Sequence, residues 1–103
     1  MAFPVTTPQQ RAQALAKATA ARKARSTLLS DIRTGQRDPA TVLAQADTDE
    51  IIKRTKVTAL IRAVPGIGTV KATRLLEQLS IPATRRIGGL GPSQRQALLD
   101  ALT

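Results

Sequence analysis

The chain has 103 residues, 42% of them hydrophobic, so it is long enough for one compact domain and too short for two. Sixteen Lys and Arg against seven Asp and Glu give a formal net charge of +9, which favours polyanionic partners. The sequence has no His and no Cys, which excludes zinc fingers, Cys-His nucleophiles, imidazole bases and disulfides. The acids are scattered and no nucleotide-binding loop motif is present, so we expect no enzyme, no cofactor and no metal site.

The N-terminal sequence, Met1 to Pro8, lacks a basic region followed by an apolar run. No apolar stretch approaches the length of a membrane span. The basic N-terminal region also lacks the bulky apolar face that membrane insertion needs. We therefore expect a cytoplasmic protein with no membrane partner.

The first predicted helix opens at Thr7-Pro8-Gln9-Gln10, which places an N-cap, a proline at the first helical position and a capping-box Gln. It continues through Ala-rich, basic sequence to about Thr34 and stops before Gly35. Its apolar stripe is thin until Leu28, Leu29 and Ile32, so we expect weak packing of its first half. We assign residues 1–37 to a basic N-terminal helical arm.

Four further helices are predicted, each from a capping or turn signal followed by an apolar stripe. Their expected starts are Asp38-Pro39, the capping box Asp47-Thr48-Asp49-Glu50, Thr69 and Gly91-Pro92. The helix after Glu50 is expected to reach Val64, although the polar run at 53–56 interrupts its stripe and allows a bend. No segment alternates at period two, so no strand is predicted. The expectation is an all-α fold of about five helices, with residues 38–103 as the compact helical domain and the core built from Val42 onwards.

Two Gly-apolar-Gly turns stand out in the second half, because Gly66-Ile67-Gly68 recurs 23 residues later as Gly89-Leu90-Gly91. Each turn leads into an amphipathic helix. The glycines allow positive φ and close backbone approach, and the central apolar residue anchors the turn in the core. The first amides of each following helix then lack an intrahelical partner and would bind a phosphate oxygen.

Pro65-Gly66-Ile67-Gly68 between two amphipathic helices is typical of a DNA-binding helix-hairpin-helix. The alternative is an ordinary helix connection, or a helical hairpin that binds protein. Lys71 would add its ammonium to the same phosphate, and Arg85-Arg86 would bridge phosphates or enter a minor groove. Solvated charge is the alternative for these bases. The candidate DNA-binding residues are Lys53, Arg54, Lys56, Gly66, Gly68, Thr69, Val70, Lys71, Arg74, Arg85 and Arg86.

Two absences narrow the expected ligand. Phe3 is the only aromatic residue, so stacking of single-stranded bases is not available. No cluster of Asn, Gln and Arg on one helix suggests the reading of base edges. Contact with the backbone of duplex DNA, with little sequence preference, is the economical interpretation.

Residues 56–68 and 79–91, with the opening Thr7 to Arg11, resemble the actinobacterial integration host factor family over nearly the whole chain. The resemblance implies a helix-two-turns-helix motif at 57–103 and a nucleoid-associated protein that bends or compacts duplex DNA. It also implies support of phage integrase complexes. Members often carry a basic residue where this chain has Gly88 and Lys where it has Thr69, so this chain has less charge there. We expect a monomer.

Two other functions fit the pattern. The same two turns resemble the body of a small-subunit ribosomal protein of the head, which binds RNA, although that protein's basic tail would be C-terminal. The other is an accessory protein that holds an integrase partner, which predicts a large exposed apolar patch. Leu28, Leu29 and Ile32 are the only candidates for such a patch, and we expect them to dock on the domain.

Overall fold

A computed structural model describes residues 7–102 and contains, within that range, six α-helices, one 3-10 turn and no strand. The helices are α1 (Pro8–Arg33), α2 (Pro39–Ala44), α3 (Glu50–Arg54), α4 (Val57–Ala63), α5 (Thr69–Gln78) and α6 (Pro92–Leu102), with the 3-10 turn at Ile87–Gly89. The all-α prediction is confirmed. The expectation drawn from the N-terminal sequence, Met1 to Pro8, concerns mainly residues 1–6, which lie outside the described range.

The predicted start and end of α1 are confirmed. The Thr7 hydroxyl accepts a hydrogen bond from the Gln10 amide (3.1 Å), and the Gln10 side chain accepts one from the Thr7 amide (3.0 Å), which completes a capping box. The helix ends where Thr34 forms the C-cap and Gly35 adopts φ +82°. Proline at the first position and glycine after the end therefore set the bounds of α1, as the sequence indicates.

The single helix predicted from Asp47–Glu50 to Val64 is wrong, because the chain forms two helices there. Thr55 and Lys56 are extended, since the Val57 amide donates to the Arg85 carbonyl (3.0 Å) and the Ile87 amide donates to the Thr55 carbonyl (2.9 Å). This short antiparallel pairing uses backbone groups that a continuous helix would need. The prediction of about five helices thus falls one short of the six observed.

The predicted capping box at the start of α3 is also wrong. Asp49 is the N-cap, and its Oδ1 accepts from the Ile51 amide (2.9 Å) and the Ile52 amide (3.3 Å). Asp47 instead accepts two hydrogen bonds of 3.0 Å from the guanidinium of Arg95 on α6. This contact holds the pKa of the Asp47 carboxyl below its usual value, first through the hydrogen bond and then through the nearby positive charge.

The core is aliphatic and draws on every helix. Its largest fully buried side chains are Ile32, Leu43, Ile52, Leu60, Ile61, Ile87 and Leu98. The expectation that the core begins at Val42 is wrong, because Leu28 and Ile32 are only 3% and 1% exposed. Burying two such aliphatic residues fixes the second half of α1 to the body. The expected docking of the Leu28, Leu29, Ile32 cluster is therefore confirmed.

The first half of α1 lies outside this packing. Every residue from Thr7 to Ala20 is exposed, and Leu15 keeps 66% of its surface accessible. The expected weak packing of this half is confirmed, and the described residues extend 49 Å along the longest axis. Within residues 7–102, no helix is both long enough and apolar enough to span a membrane.

Candidate nucleic-acid interface

The hairpin between α4 and α5 presents an open helix start. Gly66 adopts φ +87°, a left-handed conformation that favours glycine, and the half-buried Ile67 packs against the core. Gly68 is the N-cap of α5, with ordinary extended backbone (φ −89°) and no side-chain capping bond. The first helical bond joins the Ala72 amide to the Gly68 carbonyl (3.0 Å), so the amides of Thr69–Lys71 have no acceptor among the described residues.

The open start of α5 contrasts with the first three helices, each of which has a capping side chain: Thr7, Asp38 and Asp49. No acid lies in the first turn of α5. Thr69, Val70, Lys71 and Arg74 are all exposed. This end therefore combines the positive end of the helix dipole, three unpaired amides and two exposed cations, a combination suited to an anion.

The second Gly-apolar-Gly turn differs from the first despite its similar sequence. Among the described residues only Gly35 and Gly66 are glycines with positive φ, so the expected left-handed conformation is absent at Gly89 and Gly91. Leu90 is buried and anchors the turn, as expected. The Gly91 amide donates to the Gln94 side chain (3.1 Å), which caps α6. The α6 start is thus partly closed by the protein's own side chain, whereas the α5 start is open.

The Arg85-Arg86 pair divides into two roles. Arg85 is half-buried, and its Nη1 donates to the Gly89 carbonyl (3.0 Å) and to the Gln94 side chain (3.2 Å). Arg86 is exposed, and its guanidinium donates to the Arg54 carbonyl at the end of α3. Arg85 therefore holds the second turn together, while Arg86 is the more exposed of the two residues.

A basic groove runs between α1 and α4. Its volume is about 540 Å³, and its lining residues are Arg22, Arg25, Ser26, Leu29, Thr55, Lys56, Ala59 and Arg86. Arg33 and Arg62 line an adjoining depression together with Leu29 and Ala59. None of these residues is acidic, so the groove presents uninterrupted positive charge. We call this surface the α1–α4 groove.

Sequence reasoning did not single out the arginines of α1 that line this groove. The signal was available, because Arg22, Arg25 and Arg33 share one helical face with Leu29 at intervals of three, four and four residues. A thin apolar stripe flanked by bases on one side would have indicated which face lies beside α4. In the structure, Lys56 and Arg86 line the groove together with this face of α1, because the 55–57 and 85–87 segments pair there.

A second basic cleft shares Arg25 and Arg86 with the α1–α4 groove. Its volume is about 450 Å³, and its lining residues are Ala21, Arg25, Glu50, Ile51, Arg54 and Arg86. The Glu50 carboxylate lies 3.0 Å from Nε of Arg54 and 3.9 Å from Nζ of Lys53. We call this surface the Glu50 cleft.

Gly88 explains how Lys53 is held beside the cleft. A Cβ atom at Gly88 would lie 2.2 Å from Cγ of Lys53 and 3.1 Å from its carbonyl oxygen. The stem of Lys53 thus crosses the space that a side chain at 88 would fill. The packing of Lys53 therefore favours glycine at position 88 in this chain, independently of charge.

The predicted site residues fall into two groups. Gly66, Gly68, Thr69, Val70, Lys71 and Arg74 lie at the hairpin and on α5, whereas Lys53, Arg54, Lys56 and Arg86 lie around the paired 55–57 and 85–87 segments. Arg85 lies beneath the second turn. Within residues 7–102, no group of side chains is arranged to hold a metal ion.

Comparison with known proteins identifies the fold family and the relatives of this chain. Residues 32–102 match the family described as the S13-like H2TH domain, which defines the class as a helix-two-turns-helix domain preceded by most of α1. The chain is 47% identical to the integration host factor of Mycolicibacterium smegmatis and 46% identical to that of Mycobacterium tuberculosis, over 97% of this chain and 95% of each relative. It is 39% identical to the Streptomyces coelicolor protein of the same name, over 95% of this chain and 92% of the relative.

A solved structure supports the same grouping. The chain in the structure of sIHF bound to an 8-bp palindromic DNA matches with a TM-score of 0.80 and 32% identity, over 84% of this chain and 98% of that one. The protein belongs to the integration host factor family of actinobacteria.

Proposed function

We propose that the protein is a non-catalytic, nucleoid-associated protein of the cytoplasm that binds duplex DNA through backbone phosphates with little sequence preference. The observation that carries the proposal is the open start of α5. Its first three amides have no acceptor among the described residues, its first turn has no acid, and Lys71 and Arg74 are exposed beside it. The DNA-bound structural neighbour and the full-length relatives favour duplex DNA over the ribosomal RNA alternative.

The hairpin supplies one phosphate contact in this proposal. A phosphate oxygen accepts hydrogen bonds from the amides of Thr69–Lys71, at the positive end of the α5 dipole. Lys71 and Arg74 lie three residues apart on one face of the helix and add charge to the same stretch of backbone. Gly68 leaves the approach open, because nothing lies within 4 Å of the position a Cβ would take there.

The α1–α4 groove supplies further contacts. It begins at Lys56, the residue before α4, and the hairpin follows the other end of α4, about 10 Å away for a helix of seven residues. Both surfaces rest on one aliphatic core, so the relative position of their phosphates is fixed. A duplex that contacts both surfaces must follow the path they set, and we infer that it bends or compacts.

Support of site-specific recombination follows from the same bend. A bent duplex brings distant recombination sites together, and this role needs no dedicated integrase-binding face. The cluster that was the candidate for such a face is docked, with Leu28 and Ile32 buried. The protein acts as a monomer on DNA in this proposal.

The first test is fluorescence anisotropy with a labelled duplex of about 30 base pairs, competed by structured RNA and by single-stranded DNA across a salt series. We expect duplex DNA to bind most tightly, with affinity that falls steeply with salt and changes little with sequence. Preferential binding of RNA would move the chain to the ribosomal type of function. Absence of tight binding even at low salt would refute the DNA-binding proposal and favour a protein partner.

The arginine pair gives a matched second test. Arg86→Ala should weaken binding equally for all sequences and reduce the salt slope by roughly one unit for each lost phosphate contact. Arg37→Ala removes the same charge from the loop before α2 and serves as the control. Arg85→Ala should lower the melting temperature, because Arg85 ties the second turn together. A sequence-selective loss with Arg86→Ala would mean groove-shape readout rather than phosphate contact. DNA trajectory, measured by ligation closure, tests the bend separately.

A further inference from the structure

We propose that the Glu50 cleft is a phosphate-binding site whose position is taken, in the DNA-free protein, by the carboxylate of Glu50. DNA binding then exchanges an internal carboxylate for a backbone phosphate. The inference rests on the proposed function, and it adds a defined phosphate position and an internal competitor for it.

Three arginines line the cleft: Arg25 on α1, Arg54 on α3 and Arg86 before the 3-10 turn. Glu50 is the only acid among the six lining residues. Its carboxylate is bound to Nε of Arg54 at 3.0 Å and lies 3.9 Å from Nζ of Lys53. The carboxylate is therefore paired with two cations of its own helix, and the cleft it lines brings in arginines from two further segments.

The Glu50 carboxylate is not required to start α3. The N-cap is Asp49, whose side chain already accepts from the amides of Ile51 and Ile52. The Arg54–Glu50 pair is also well exposed, with 71% and 60% of the two side chains accessible, so it contributes little to folding. Its main effect is to reduce the positive charge that the cleft presents.

A carboxylate and a phosphate bind a guanidinium with the same geometry, through oxygens that accept from its N–H groups. They therefore compete for Nε of Arg54. Glu50 is exposed enough for its side chain to turn towards solvent, which leaves Arg25, Arg54 and Arg86 for the incoming phosphate. Displacing the carboxylate lowers the affinity of the cleft for a ligand with a single phosphate. A duplex that also contacts the hairpin and the α1–α4 groove offsets this loss through its other contacts.

Glu50→Gln tests the exchange by removing the charge while keeping the side-chain shape. We expect it to raise the affinity for duplex DNA about two- to fivefold, because the phosphate no longer has to break an exposed ion pair at Arg54, and exposed pairs of this kind contribute about that factor. Glu77→Gln on α5 changes the net charge equally from outside the cleft and is the matched control. Anisotropy with the same labelled duplex, at about 0.1 M salt, measures both variants.

Arg54→Ala completes a double-mutant cycle with Glu50→Gln. If the carboxylate competes at Arg54, the gain from Glu50→Gln should disappear when Arg54 is absent. Thermal melting confirms that all variants are folded. A gain no larger than that of Glu77→Gln, or a gain that persists unchanged without Arg54, would overturn the exchange. Either result leaves the proposed function intact so long as the wild-type protein binds duplex DNA, whereas failure of the wild-type protein to bind refutes both.

Discussion

The two glycines of the hairpin give a matched pair of substitutions with opposite expected effects. Gly66→Ala forces an L-residue into the left-handed region (φ +87°), which costs about 1 kcal/mol of folding free energy. In a domain of this size such a loss lowers the melting temperature by about 5 °C. Gly68→Ala places a methyl group on ordinary extended backbone (φ −89°) with nothing within 4 Å, so the melting temperature should change little.

Binding should show the reverse order. The methyl group of Gly68→Ala projects where a phosphate approaches the α5 amides. Losing one hydrogen bond to a charged group costs about 1.5 kcal/mol, or roughly tenfold in affinity. Gly66→Ala should bind nearly as well as the wild-type protein at a temperature where it is folded.

Differential scanning fluorimetry gives the melting temperatures, and anisotropy with duplex DNA gives the affinities of the same preparations. Undiminished binding by a folded Gly68→Ala protein would refute close phosphate approach at that residue. An unchanged melting temperature for Gly66→Ala would refute the conformational argument for the first glycine.

Three further predictions concern the packing of Gly88 and Leu28 and the contact between Asp47 and Arg95 of α6. Gly88→Ala should destabilise the protein by about 1–3 kcal/mol in urea unfolding, because its methyl group overlaps the lysine stem that crosses it; wild-type stability would contradict that contact. Leu28→Ala should lower the free energy of unfolding by about 2–4 kcal/mol in the same assay, because Leu28 is buried. Leu15 is exposed, so Leu15→Ala should lower it by less than about 0.5 kcal/mol. Equal effects would mean that α1 is not part of the core. Because Arg95 holds the pKa of the Asp47 carboxyl below its usual value of 3.8, the pair stabilises the fold above that pH and loses its contribution as the carboxyl protonates below it. The melting-temperature difference between wild-type and Asp47→Asn should therefore shrink from pH 6 to pH 3, and a constant difference would exclude this linkage.

Local signals in the sequence were sufficient for the helices whose ends depend on neighbouring residues. Thr7 with Pro8 and Gln10, Asp38 with Pro39, and Gly91 with Pro92 act within one turn of the backbone, so their effects can be predicted without the rest of the fold. The apolar spacing of α5 likewise placed its buried face. The prediction failed between Thr55 and Lys56, where hydrogen bonds to residues 85–87 interrupt a helix that local propensity favours.

The candidate site shows the same limit. Charge, the Gly-apolar-Gly hairpin and the presence of a single aromatic residue indicated a surface for duplex phosphates. They did not distinguish Arg85 from its neighbour Arg86. The difference is that Arg85, and not Arg86, donates to the Gly89 carbonyl and to the Gln94 side chain. Two Gly-apolar-Gly turns with the same pattern also became one open and one capped helix start for this reason.

The sequence by itself determined the helical class, most helix ends and the sign of the partner's charge, because composition and short-range backbone chemistry decide these. Only the tertiary structure decided that Arg22 and Arg25 lie beside Lys56 and Arg86, and that Glu50 lines a cleft with arginines from two other segments. These features depend on contacts between segments more than 20 residues apart. A local pattern can indicate the face of a helix but not its partner, because the partner is set by how the buried aliphatic faces pack together.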